Sequence, residues 1–324
     1  MRINAHLLLS LIVVITSGCL VGGNRVKPPH KEAQRIVQPN GNVQPGVAEI
    51  MHILGCEHVP LRVDEFVKEL AGQFTRKRGM ERWHVTSEYT PEVAQKVLQQ
   101  FDQLGFFKEI EPTSRSYDYL VVLGATLSRV RTRIAYLKEL WERGVRGKKV
   151  IFLSGDRPLE PFEGLDQLND REQTALPIKK EWQEAIQPLP NEAAMMKAVW
   201  EQAVLPPELA ALPLEVIDTP QQTWPDGTKQ RPNTGDTVIH WMKTKPQPGS
   251  CLFISNQPYV GYQGAVLHRW MPASFTVETV GSASSPAKAS SVGVLVDSLL
   301  RWLAFEAFHC GLWDEKTLEV YLKQ

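Results

Sequence analysis

Cysteine is scarce in this chain, 4 among 324 residues, at positions 19, 56, 251 and 310. A disulfide-built scaffold is thereby excluded, because small folds of that kind are dense in cysteine. An excess of charge of one sign is missing too: 36 basic side chains face 36 acidic ones, a formal net charge of +0. That balance excludes a chain that holds nucleic acid by its overall field, and leaves a local basic patch open. No uninterrupted apolar run approaches the roughly 18 residues of a membrane span. The stretch at 292–308 is strongly apolar, but Asp297, Arg301 and Glu306 break it into an amphipathic helix. No Gly-x-Gly-x-x-Gly follows the first apolar strand, and no P-loop lysine or Gly-x-Ser-x-Gly elbow occurs. Ordinary dinucleotide enzymes, nucleoside-triphosphate enzymes and serine hydrolases are disfavoured accordingly.

What is present begins with Arg2 and an apolar stretch over residues 7–15, interrupted only by Ser10, which has the length of a signal-peptide core. Thr16-Ser17-Gly18-Cys19 follows and resembles the bacterial lipoprotein box, in which the chain is cleaved just before a lipidated cysteine. Residues 1–18 are therefore expected to be a signal peptide and Cys19 the lipidation site, with a plain secretory signal or an uncleaved anchor as alternatives. Cys56, Cys251 and Cys310 then allow at most one internal disulfide. His52, Cys56 and His58 lie close together but match no standard zinc spacing, so no metal site is expected. Residues 19–46 hold four prolines and little periodic pattern, and read as a tether.

At about 150 residues per domain, the length allows one large domain with extensions or two modest ones. Residues 47–112 read as a helical N-terminal extension, clearest where Thr90-Pro91-Glu92 supplies a cap, a first-turn proline and an acidic first turn, with Gly105 as the stop. From 113 to 324 short apolar strands alternate with helices. Strands are expected at 119–123, 150–153, 214–217, 251–254 and, more weakly, 275–277, with helices at 127–143, 191–203 and 234–243. Such alternation predicts an α/β fold, a three-layer α/β/α Rossmann-like parallel sheet.

In an open parallel sheet, ligands bind outside the carboxyl ends of the strands. The loops there carry Gly124 and Arg129, then Ser154, Gly155 and Arg157, then Ser255, while Asn233, Thr234 and Asp236 open a helix and Glu192 opens another. Glycines permit close backbone approach, a capped helix start favours an anion, and arginines can fork onto phosphate or carboxylate. The alternative gives the same residues only capping, turning and solvated roles. A cluster at 78–83, Arg-Gly-Met-Glu-Arg-Trp, could lid such a pocket or end a solvated helix.

The order Leu123-Gly124, the helix from Arg133 to Gly144, Val150 through Gly155, Asn191-Glu192-Ala193-Ala194, and Asn233-Thr234-Gly235-Asp236-Thr237 resembles the YdcF-like family of SanA and ElyC envelope proteins. The likeness covers residues 117–280, about half the chain. It implies a Rossmann-like fold and a role in cell-envelope integrity. S-adenosylmethionine as a cofactor is also implied, having been proposed for one branch, with no settled reaction. The chain departs from that pattern where Tyr259 and Tyr262 stand at the family's His and Arg, where Asp236 replaces a Glu, and where residues 219–232 lengthen a connection. Phenols supply neither a proton shuttle near neutrality nor fixed positive charge.

The expectation is a lipid-anchored protein of the bacterial cell envelope that binds a small anionic or nucleotide-like ligand and no nucleic acid. The alternatives are an enzyme acting on a phosphorylated or carrier-lipid-linked envelope precursor, and a non-catalytic module that holds a protein partner.

Overall fold

The computed structural model describes residues 36–77, 80, 85, 89–173, 175–183, 186–223, 227, 229–288 and 291–322. The signal peptide, Cys19 and the first part of the tether lie outside them, as do Arg78, Gly79, Glu81, Arg82 and Trp83.

Helices α1 (Pro45–Ile53), α2 (Val63–Phe74) and α3 (Pro91–Gln103) precede β1 (Ser116–Leu123), which leads through α4 (Leu127–Glu142) to β2 (Arg146–Gly155). A 3-10 turn (Pro161–Glu163), the short α5 (Leu165–Leu168), α6 (Glu192–Gln202) and α7 (Pro207–Ala210) come before β3 (Leu214–Thr219). A two-residue ladder of β4 (Gln222–Thr223) and β5 (Lys229–Gln230) precedes α8 (Thr234–Lys243), β6 (Ser250–Asn256), α9 (Val260–Trp270) and β7 (Thr276–Ser282). Helices α10 (Val292–His309) and α11 (Glu315–Leu322) follow.

The main sheet is five-stranded and parallel, in the order β3-β2-β1-β6-β7. The fold is thus the Rossmann-like α/β arrangement the strand pattern predicts. Side chains alternate across the pleat. Leu120, Val122, Val150, Phe152, Leu252 and Ile254 face α4 and α6 on one side. Val121, Leu123, Ile151, Leu153 and Phe253 face α8 and α9 on the other. The chain moves outward from β1 to β3, then returns to the other side of β1 for β6 and β7. That reversal puts the topological switch point between the carboxyl ends of β1 and β6.

The N-terminal helices add a further layer. Val47, Ile50, Phe66, Val67, Leu70 and Phe101 share one core with Leu299, Leu303 and Phe305 of α10. A division at residue 112 accordingly runs through one hydrophobic core. The tether also ends earlier than its composition implies: Ile36, Val37 and Val43 are buried, and a bridge joins Val37 to Val43. Three apolar side chains among prolines and polar residues give no period, yet suffice to seal that segment onto α1 and α2. Cys56, Cys251 and Cys310 are free thiols. No helix among the described residues is long and apolar enough to cross a membrane.

Candidate functional site

A hollow of about 690 Å³ opens where β1 and β2 end, against the start of α8, the side of α9 and the inner face of α10. Four places far apart in sequence meet on its wall: Gly124, Gly155, Glu192 and the Asn233-Thr234 pair.

Glu192 is the acidic centre of this wall. It stands in the first turn of α6, 6% exposed, and its carboxylate accepts from the Gly155 amide at 3.3 Å and from Arg157 Nε at 3.0 Å. Gly124 is required by that approach: a Cβ there would lie 2.0 Å from Glu192 Oε1 and 2.9 Å from the Leu153 carbonyl oxygen. Burial raises the Glu192 pKa more than the Arg157 charge and the hydrogen bonds lower it.

Arg157 does not line the hollow. Its guanidinium is buried and forks onto Glu163, Nη1 to Oε2 at 2.5 Å and Nη2 to Oε1 at 2.9 Å. With Glu192 this makes a buried Glu-Arg-Glu triad. Burial penalises the Glu163 carboxylate, but the Arg157 fork and the amides of Glu160 and Leu127 outweigh it and hold its pKa below the ordinary value. Because Leu127 opens α4, its amide bond of 2.9 Å places Glu163 at that helix's N-terminus. The dipole end that would attract an anion there already has one.

The second arginine at the switch point is Arg133, 2% exposed, on α4. It donates to the carbonyls of Leu123 and Gly124 at 2.7 and 2.8 Å and to Asn256 Oδ1 at 2.9 Å. It therefore ties the end of β1 to the end of β6. Arg129, one turn earlier, donates to the Tyr259 hydroxyl at 3.0 Å and lies 4.6 Å from that ring's centroid. Tyr259 is buried, and Tyr262 lines the hollow with its ring 6.2 Å from Phe305.

Asn233 caps α8. Its Oδ1 accepts from the amides of Gly235 and Asp236 at 2.7 and 3.2 Å, and Asp236 Oδ2 accepts from the Asn233 amide at 2.9 Å. Burial raises the Asp236 pKa despite that bond and the one from Gln222. Thr234 lines the hollow beside them. The two serines are turned inward: Ser154 is wholly buried and donates to the Ile217 carbonyl, and Ser255 is wholly buried against Gln263 and the Asn256 carbonyl.

Several lining groups carry no motif in the sequence. Lys229 and Arg231 arrive from the small β4–β5 ladder and its exit, inside the 219–232 lengthening. Arg76, Lys77 and Arg301 arrive from the outer helical layer. Asp297, fully buried on α10, accepts from Arg301 Nε at 2.9 Å and from the Arg76 amide at 3.0 Å, which fixes both arginines at the rim. Of the 78–83 cluster, Met80 alone is described, and it does line the hollow. With Arg129 and Arg133, the wall carries seven basic side chains against Glu192, Asp236 and the Asp297 carboxylate that pairs with Arg76 and Arg301 beneath the rim, an excess of four positive charges.

Phe162 and Ile239, at 53% and 37% exposure, stand on the same wall. No group of three or more potential metal ligands exists among the described residues; His52 Nδ1 instead lies 3.1 Å from the Cys56 carbonyl oxygen. No protein-family model, curated protein or solved structure matches the chain.

Proposed function

We propose that the chain binds a small anionic ligand in the switch-point hollow. The observation that carries the reading is the excess of four positive charges at one wall, Asp297 included, of a molecule whose formal charge is +0. In a concave, partly desolvated site such an excess focuses the field and raises the local concentration of anions. Arg129, Arg231 and Lys229 neutralise the ligand's charge in this account, Glu192 accepts from a ligand donor, and Gly124 and Gly155 let the backbone come close. Arg157 acts as a positioning residue for Glu192. The same lining favours a phosphate-bearing ligand over S-adenosylmethionine, whose sulfonium and ammonium are cationic. With the lipoprotein-like Cys19 and the YdcF-like motifs, this gives a lipid-anchored envelope protein that senses or holds a phosphorylated compound. Palmitate labelling that is lost on Cys19→Ala tests the anchor.

The ligand reading is tested by thermal unfolding of the full chain with phosphate, pyrophosphate, nucleotides and S-adenosylmethionine. A ligand at 100 times its Kd adds about 2.7 kcal/mol. Stabilisation by phosphate compounds and none by S-adenosylmethionine is expected, and no stabilisation by any anion overturns the reading.

Glu192 favours a second reading, an enzyme acting on a phosphorylated envelope precursor. A carboxylate with raised proton affinity inside a basic hollow has the character of a general acid or base. Under that reading Glu192→Gln abolishes turnover and retains ligand binding.

A further inference from the structure

The basic groups account for only part of the lining of the switch-point hollow. Tyr262, Val266 and Trp270 recur every four positions along α9 and so share one helix face, and that face lines the hollow together with Phe305 of α10. Val266 and Phe305 are buried, whereas Tyr262 and Trp270 stay partly exposed. Seven large apolar side chains stand exposed among the described residues, and three of them, Met80, Phe162 and Ile239, line this one hollow. They arrive from three separate segments, so no single apolar run explains the grouping. Exposed apolar groups gathered in a concave site mark a place for an apolar partner.

The apolar and the charged parts of the lining are contiguous. A Cβ on Gly235 would lie 2.6 Å from Trp270 Nε1 and 3.1 Å from Asn233 Oδ1, so the indole stands against the first turn of α8, beside its cap. Ile239 follows Gly235 by four positions and extends the same helix face by one turn. Arg231 lines the hollow two positions before Asn233, which sets positive charge within a few residues of the indole. The hollow, at about 690 Å³, is also of the size that takes a whole small molecule, about 300–1,000 Å³, and a phosphate alone leaves most of it unfilled.

We propose that the ligand of this hollow is a phosphate ester of an apolar alcohol. The phosphate pairs with Arg231, Lys229 and Arg129, and the apolar body covers Trp270 and Ile239, removing their exposed surface from water. A polyhydroxy ester would bury its hydroxyls against those two side chains without partners, which weakens binding. This assignment rests on the anion reading above and names the class of its ligand.

The test is calorimetric titration of the full chain with inorganic phosphate, glycerol 3-phosphate, hexyl phosphate, phenyl phosphate and hexanol. At least one of the two apolar esters is expected to bind about tenfold or more tighter than phosphate and glycerol 3-phosphate, roughly what two buried methylenes supply. A preference for hexyl phosphate identifies the body as a chain, and one for phenyl phosphate as a ring. Ile239→Ser, at an exposed position, is expected to bring the ratio of ester to phosphate affinity toward one, and Ile239→Leu to keep it. If phosphate binds and no apolar ester exceeds it, the assignment falls while the anion reading stands. If neither phosphate nor any ester binds, both fall. Hexanol binding as tightly as hexyl phosphate, or a ratio unmoved in folded Ile239→Ser, overturns the assignment as well.

Discussion

Arg157, a candidate ligand contact from its place after β2, lies behind the wall of the hollow, paired on both sides with carboxylates. Two buried carboxylates lose their cation if Arg157 becomes alanine, and breaking a buried pair in this way costs about 3–5 kcal/mol. Denaturant unfolding of Arg157→Ala should therefore show a loss of that size. The neighbouring carboxylate gives a prediction in pH. Burial holds the Glu192 pKa above its ordinary value, so the group is neutral below that raised pKa and negative above it. A sulfate ion, which keeps its charge throughout, should bind best at low pH and more weakly as pH rises through the Glu192 titration. In Glu192→Gln that dependence should shrink to the part supplied by Asp236, whose pKa is also raised by burial on the same wall, and in Glu192→Gln/Asp236→Asn it should be gone, read by calorimetric titration at a series of pH values. Of the site residues, those whose chemistry is local were legible from sequence: glycines at strand ends, Asn233 at a helix start. Glu163 and Arg231 were not, because both stand in irregular connections whose path no periodicity records.

At the level of elements, the capping box of α8 sets the wall that carries Asn233, Thr234 and Asp236. Removing a capping side chain costs about 0.5–2 kcal/mol, so Asn233→Ala should lose that much stability and lower anion affinity together. A loss of stability with affinity unchanged would make Asn233 a cap alone. Strands β1, β2 and β6 were visible in sequence because each holds a continuous apolar run of buried-strand length, whereas Glu215 interrupts β3 and Glu278 interrupts β7, the weaker expectation at 275–277 that runs over Thr276–Ser282. Helix α9 was not, since Gly261 and Gly264 interrupt its pattern and weaken its propensity. The structure gives the reason for the first of them: a Cβ on Gly261 would meet the Trp302 ring at 2.0 Å. Close packing of α9 on α10 has overridden helix propensity there.

The molecule as a whole is held by a core that joins its beginning to its end. Phe66 of α2 and Phe305 of α10 belong to the same buried cluster, and Phe305 also lines the hollow. A chain lacking α1 to α3 should expose the apolar face of α10 and aggregate, whereas an independent α/β domain would stay monodisperse in size-exclusion chromatography. Periodicity does not join these parts, because α10 follows the strands along the chain while its partners in α1 to α3 lie about two hundred positions before it. The same docking brings Arg76, Lys77 and Arg301 to the rim, so the basic character of the hollow is a property of the assembled chain and of no single segment. The most direct measurement is therefore a calorimetric sulfate titration of the full chain and of Arg129→Ala/Arg231→Ala at two salt concentrations. Saturable binding that weakens with salt and is lost in the folded double variant is the predicted result, and a wild-type chain that binds no sulfate at low salt would contradict the account.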